Sequence, residues 1–122
     1  MRERAAIVYP AVMAAYFDDN DLARFGEMGD HAKEHWQRFM AYYGRAFEAG
    51  LLTKREKLLV GFTVSHAEKC PYCIDSYTQQ CLEAGLTMEH LSEALHCVAS
   101  LRAGITLAHG LVTKNIVEKV GM

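Results

Sequence analysis

Apolar residues recur along this chain at three- and four-residue intervals over most of its length. Trp36, Phe39, Met40, Tyr43 and Phe47 fall on one side of a helical wheel. They predict a helix that follows Asp30, a good N-cap, and stops at Gly50. At this spacing the aromatic stripe reads as packing core rather than as a cofactor box. Thr53-Lys54-Arg55-Glu56 has the form of a capping box, with Leu58, Leu59 and Phe62 as the apolar side of the helix it opens. The next helix is expected to start about Cys70 and to end before Gly85. Thr87 can cap a last long segment, in which Leu91, Leu95, Val98, Leu101, Ile105, Ala108, Val112 and Ile116 keep helical spacing, with a break near Gly104. Residues 1–29 read as an N-terminal extension: a helix to Phe17, a turn at Asp18-Asp19-Asn20, and a short helix ending near Gly26 or Gly29. Strand-like alternation is nowhere sustained. The expectation is an all-α fold in a single domain over residues 1–122.

Composition narrows the function classes. A chain of 122 residues with 51% hydrophobic residues can bury one ordinary core. The net charge is −2 and no basic stripe appears, which argues against nucleic acid as a partner. No apolar run approaches the roughly 18 residues a membrane helix needs, so no membrane partner is expected. "MRERAAIVYPAVMAAYF" loosely resembles a secretion signal. Glu3 in the charged part, Pro10 in the apolar part and Tyr16-Phe17 after the small pair argue against it. The expected location is therefore cytoplasmic, with the four cysteines kept as thiols and only a reactive pair cycling.

That pair lies in "KCPYCIDSYT". In a glutaredoxin, C-P-Y-C follows a strand and is faced by a later cis-proline. Here the preceding segment is helical in pattern, and the only prolines are Pro10 and Pro71. A structural zinc site needs four ligands, and a mixed site that adds His66 or His109 to the pair is an open but unforced alternative. Cys81 and Cys97 stand alone and read as small hydrophobes, and His31 and His35 read as a solvated helix face. The remaining reading is a thiol redox pair at a helix start. There Cys70, Ile74, Tyr77 and Cys81 share a face, with Cys73 about 60° to its side and one turn before Tyr77. The amides and dipole of the first turn favour thiolate over thiol, and Pro71 suits a position whose N–H would go unbonded. The plainer alternative is two inert, buried cysteines.

At this point the sequence resembles the carboxymuconolactone decarboxylase superfamily, in particular its AhpD-like alkylhydroperoxidases. The resemblance spans about residues 36–112 and is most specific in "LTKREKLLVGFTVSHAEKCPYCIDSYTQQCLEAG" and "RAGITLAHG". "FMAYYGRAFEAGLLTKREK" and "CPYCIDSYT" resemble the arsenosugar biosynthesis-associated peroxidase-like subgroup. The resemblance implies an all-α, homo-oligomeric protein, a trimer or hexamer. It implies Cys73 as the peroxidatic residue and Cys70 as the resolving one. The substrate would be a hydroperoxide or disulfide, with a dithiol protein as reductant and no cofactor or metal.

Two positions depart from the family pattern E-x11-C-x-x-C-x-x-x-H, whose Glu and His relay a proton. Leu58 stands for the Glu and Tyr77 for the His. Leu carries no proton, and an unperturbed phenol, with a pKa near 10, is a poor base. His66, four residues before Cys70, is a substitute base if its helix continues that far; its plainer role is a hydrogen-bonded histidine at a helix end. Glu68 is expected to face solvent. His109 matches a histidine that follows the glycine break in the superfamily, which would place it at the same pocket. The sequence carries no cluster suited to an anionic lactone, which disfavours the decarboxylase chemistry. A dithiol module that captures trivalent arsenic and a non-catalytic scaffold are the alternatives from other classes.

Overall fold

The computed structural model describes residues 17–121. The helix expected before Phe17 and the signal-like segment lie outside the described residues. Packing divides the chain into two units, with the boundary between Ala46 and Phe47.

In the first unit a short 3-10 turn, Phe25–Gly29, precedes helix α1, Lys33–Phe47. Asp30 closes the 3-10 turn, its N–H bonded to the Glu27 carbonyl at 3.0 Å, and so does not cap α1, which starts three residues later. Gly29 is buried under Trp36; a Cβ at Gly29 would lie 2.5 Å from Trp36 Cγ. Trp36 meets the edge of Phe25 at 5.1 Å and 72°, then Phe39 at 5.8 Å, and Phe39 meets Tyr43 at 5.7 Å. This ladder of rings is not the core expected of it. No residue of α1 is buried, and Phe39, Met40 and Tyr43 are exposed. The apolar stripe is real, but its side chains are exposed or only half-buried.

The second unit holds α2 (Lys54–Ala67), α3 (Pro71–Glu83) and α4 (Met88–Lys119). Among the described residues there is no strand, and the architecture is all-α. The capping box of α2 forms as predicted: Glu56 N–H donates to Thr53 Oγ1 at 3.1 Å, and Thr53 N–H to Glu56 Oε1 at 2.9 Å. The core consists of Leu58, Phe62, Tyr77, Cys81, Leu86 and Leu91, and α2 packs against both α3 and α4. The Cys81 thiol is fully buried and donates to the Leu58 carbonyl at 3.6 Å. Helix α3 ends at left-handed Gly85 (φ 85°). Leu86 N–H returns to the Cys81 carbonyl and Gly85 N–H to that of Leu82, a Schellman stop that turns Leu86 into the core.

Helix α4 departs most from expectation. It runs unbroken through Gly104, because one helical glycine costs only about 1 kcal/mol relative to Ala. Of its residues only Leu91 is buried, with Ala94 and Leu95 packed against the core. From Leu101 onward every residue to Gly121 is exposed, and so is Cys97, which is not the packed small hydrophobe expected. By length and composition α4 is apolar enough to cross a membrane, contrary to the run-based reading, because a windowed average tolerates Arg102 among apolar neighbours.

Candidate functional site

The turn from α2 to α3 builds the cysteine site. Helix α2 continues past His66 to Ala67 and stops in a second Schellman motif. Cys70 N–H reaches back to the Ser65 carbonyl at 3.0 Å, and Lys69 N–H to the His66 carbonyl at 3.1 Å. The left-handed position between them is Lys69, with φ 55°. Cys70 therefore belongs to two elements: it completes the stop of α2 and is the N-cap of α3. Ser65, buried, turns its hydroxyl to the Gly61 carbonyl at 2.6 Å. Arg102 reaches across from α4 and donates to the Ala67 carbonyl at 2.7 Å, satisfying one of the open carbonyls at the end of α2.

Within this turn the two sulfurs lie 2.8 Å apart, joined by a thiol–thiol hydrogen bond. Cys70 Sγ also accepts the Cys73 N–H at 3.3 Å, as an N-cap side chain does. Both cysteines are half-buried and all four in the chain are free thiols. Cys73 packs against the core. Burial first, and then the hydrogen bond and charge of Cys70, push the Cys73 thiol up to about 11. Burial alone raises that of Cys81.

The other predicted residues distribute unevenly. Tyr77 is buried, its ring 5.4 Å from that of Phe47 and pressed on Gly61, where a Cβ would lie 2.3 Å from Tyr77 Cε1. Leu58 is 3% exposed in the same core. His66 lies in the last turn of α2, its ring 4.4 Å from that of Phe62. Its Nδ1 bonds the Phe62 carbonyl at 2.8 Å. A carbonyl only accepts, so Nδ1 carries the proton and Nε2 is left as the basic nitrogen. Glu68 is exposed. His109 is exposed on α4, with Nδ1 on the Ile105 carbonyl at 2.8 Å and about 10 Å farther along the axis than Arg102. Among the described residues no three His, Cys, Asp or Glu side chains converge as a metal would require.

Three contributors escaped the sequence reading: Gly61, Ser65 and Arg102. Arg102 left a trace there, as the only Asp, Glu, Lys or Arg between Glu93 and Lys114.

Comparison with known proteins places the chain in a family. A family model described as "Carboxymuconolactone decarboxylase family" matches residues 34–111, well over half of the chain. An uncharacterized protein 4 in the cox locus of Paracoccus denitrificans is 32% identical over 82 residues, 67% of this chain and 74% of that protein. No solved structure matches. With four helices in this order, the cysteine pair opening the third and a family match across all four, the chain belongs to the carboxymuconolactone decarboxylase family.

Proposed function

We propose that Cys70 and Cys73 form a reversible dithiol–disulfide centre, and that the protein is an AhpD-like thiol-dependent peroxidase or disulfide oxidoreductase. The observation that carries this reading is the 2.8 Å approach of the two sulfurs at the start of α3. Closing that gap to a disulfide bond needs only a small side-chain adjustment. In the cycle the dithiol gives up two electrons and two protons. A hydroperoxide becomes alcohol and water, or a disulfide becomes two thiols, and a dithiol protein then restores the reduced pair. Tyr77 and His66 are the assisting groups in this reading, with Leu58 and Tyr77 standing where the family relay would be. His109 has no part in the step. The protein works as a cytoplasmic homo-oligomer, and the resemblance to arsenosugar-associated members favours this redox branch over lactone decarboxylation.

The test is thiol counting by mass spectrometry, with peptide mapping, before and after mild oxidation. A loss of two thiols per chain and a Cys70–Cys73 link are expected, with Cys81 and Cys97 unchanged. Cysteines that stay free, or a Cys81–Cys97 link, would sink the reading. Tight arsenite capture by both sulfurs without any oxidation would replace it with the dithiol-binding alternative.

A further inference from the structure

We infer that Cys70, rather than Cys73, is the attacking sulfur, and that the acceptor it suits is a disulfide. This rests on the dithiol–disulfide reading above and reverses the order that the family resemblance implies.

Cys70 Sγ sits at the N-cap of α3, where the Cys73 N–H points at it from 3.3 Å. Negative charge on that sulfur meets an amide donor and the positive end of a thirteen-residue helix. Cys73 is one turn in, and its side chain packs on the core formed by Leu58, Phe62, Tyr77 and Cys81. In the family pattern a carboxylate and an imidazole would draw the proton from this second cysteine. Here those positions hold Leu58 and Tyr77, both buried in that core. The Cys73 thiol, pushed up to about 11, keeps its proton. The two sulfurs lie 2.8 Å apart, so attack by Cys70 leaves Cys73 within reach of the mixed disulfide it must resolve.

The leaving group selects the acceptor. Attack on a hydroperoxide expels an alkoxide or hydroxide, which needs a proton from a placed acid. Attack on a disulfide expels a thiolate, which departs without one. In the step inferred, Cys70 Sγ⁻ attacks one sulfur of R–S–S–R′. The S–S bond breaks, a Cys70–S–S–R bond forms, and R′–S⁻ leaves with the electron pair and takes up a proton. The Cys73 thiol then loses its proton to R–S⁻ as it attacks Cys70 Sγ, and R–SH leaves. The chain is oxidised by two electrons, and one disulfide is reduced to two thiols.

The experiment uses the full chain with Cys97→Ser, since Cys97 is exposed and would react on its own. The probe is 5,5′-dithiobis(2-nitrobenzoate) in single-turnover stopped flow, and circular dichroism checks that each variant folds. With both site cysteines present, two thiolates should be released per chain, leaving an internal disulfide. Adding Cys73→Ser should stop the reaction at a mixed disulfide on Cys70, formed at neutral pH at least tenfold faster than the adduct on Cys73 in the Cys70→Ser chain. The Cys73 rate should climb steeply as pH rises above 9. Hydrogen peroxide should oxidise the reduced pair no faster than it oxidises glutathione. A faster adduct on Cys73 overturns the order while leaving the redox pair standing. Peroxide reacting a hundredfold faster than with glutathione overturns the disulfide assignment. Release of one thiolate with no internal disulfide overturns the redox-pair reading itself.

Discussion

Gly61 and Tyr77 form a lock-and-key contact, because the aromatic ring occupies the space a side chain at 61 would need. Gly61→Ala is expected to cost about 1–3 kcal/mol of stability by overpacking, read as a lower melting temperature. The cost should shrink in a Tyr77→Ala background, since the ring is what the new methyl would strike. A second residue-scale expectation concerns alkaline pH. The folded protein holds Cys73 protonated up to about 11, whereas the unfolded chain releases that proton near 9. Above the lower value the unfolded state binds fewer protons, so stability falls as pH rises. The contribution is intact below about pH 9 and lost through about pH 11. Denaturant melts of the reduced wild type and Cys73→Ala across that range should show the extra decline in the wild type alone. Cys70, Cys73 and Tyr77 were legible in the sequence because helical spacing fixes their mutual angles. Gly61 was not, because its role lies in what α3 brings against α2, and spacing within one helix carries no information about the facing one.

The two helix stops show what a sequence records of its own punctuation. Gly85 advertises the end of α3, since glycine enters the left-handed region freely. Lys69 does the same work at the end of α2 with no such sign. Lys69→Gly should therefore keep the fold and the cysteine geometry, with a melting temperature equal to or above that of the wild type. Lys69→Val, β-branched in the same conformation, should lower stability by about 1–2 kcal/mol. Gly104 misleads in the other direction: a glycine within a helical pattern suggests a break, and the helix runs through it. A Cβ there meets nothing within 4 Å. Gly104→Ala should raise stability by about 0.5–1 kcal/mol in thermal melts, where a true break would make it destabilising. The element order and the α2 capping box were readable because caps are local. The start of α1 was misplaced because a 3-10 turn claimed Asp30 first.

At the scale of the molecule the notable fact is how much apolar surface one chain leaves uncovered. Leu101, Leu107, Leu111, Val112 and Ile116 are each more than half exposed along α4. Patches of that kind call for a partner, and we propose a second copy of the chain as that partner. Light scattering should return a multiple of 13.7 kDa, and Leu107→Glu with Leu111→Glu should lower it. A monomer at micromolar concentration, or flotation of the protein with lipid vesicles, would count against this. The periodicity of α4 was plain in the sequence, but the side it faces was not, since periodicity marks an apolar face without naming what covers it. The long helix also carries a mechanical consequence. Among the described residues it is held at its first turns by Leu91 and Leu95 and at Arg102 by the clamp on Ala67, and the turns beyond are exposed. A helical segment whose bonds lie within itself, such as the exposed Lys114–Glu118 pair, is marginal in water. Its outer turns should wind and unwind with the protein's concentration, so that helicity measured on dilution becomes a gauge of assembly.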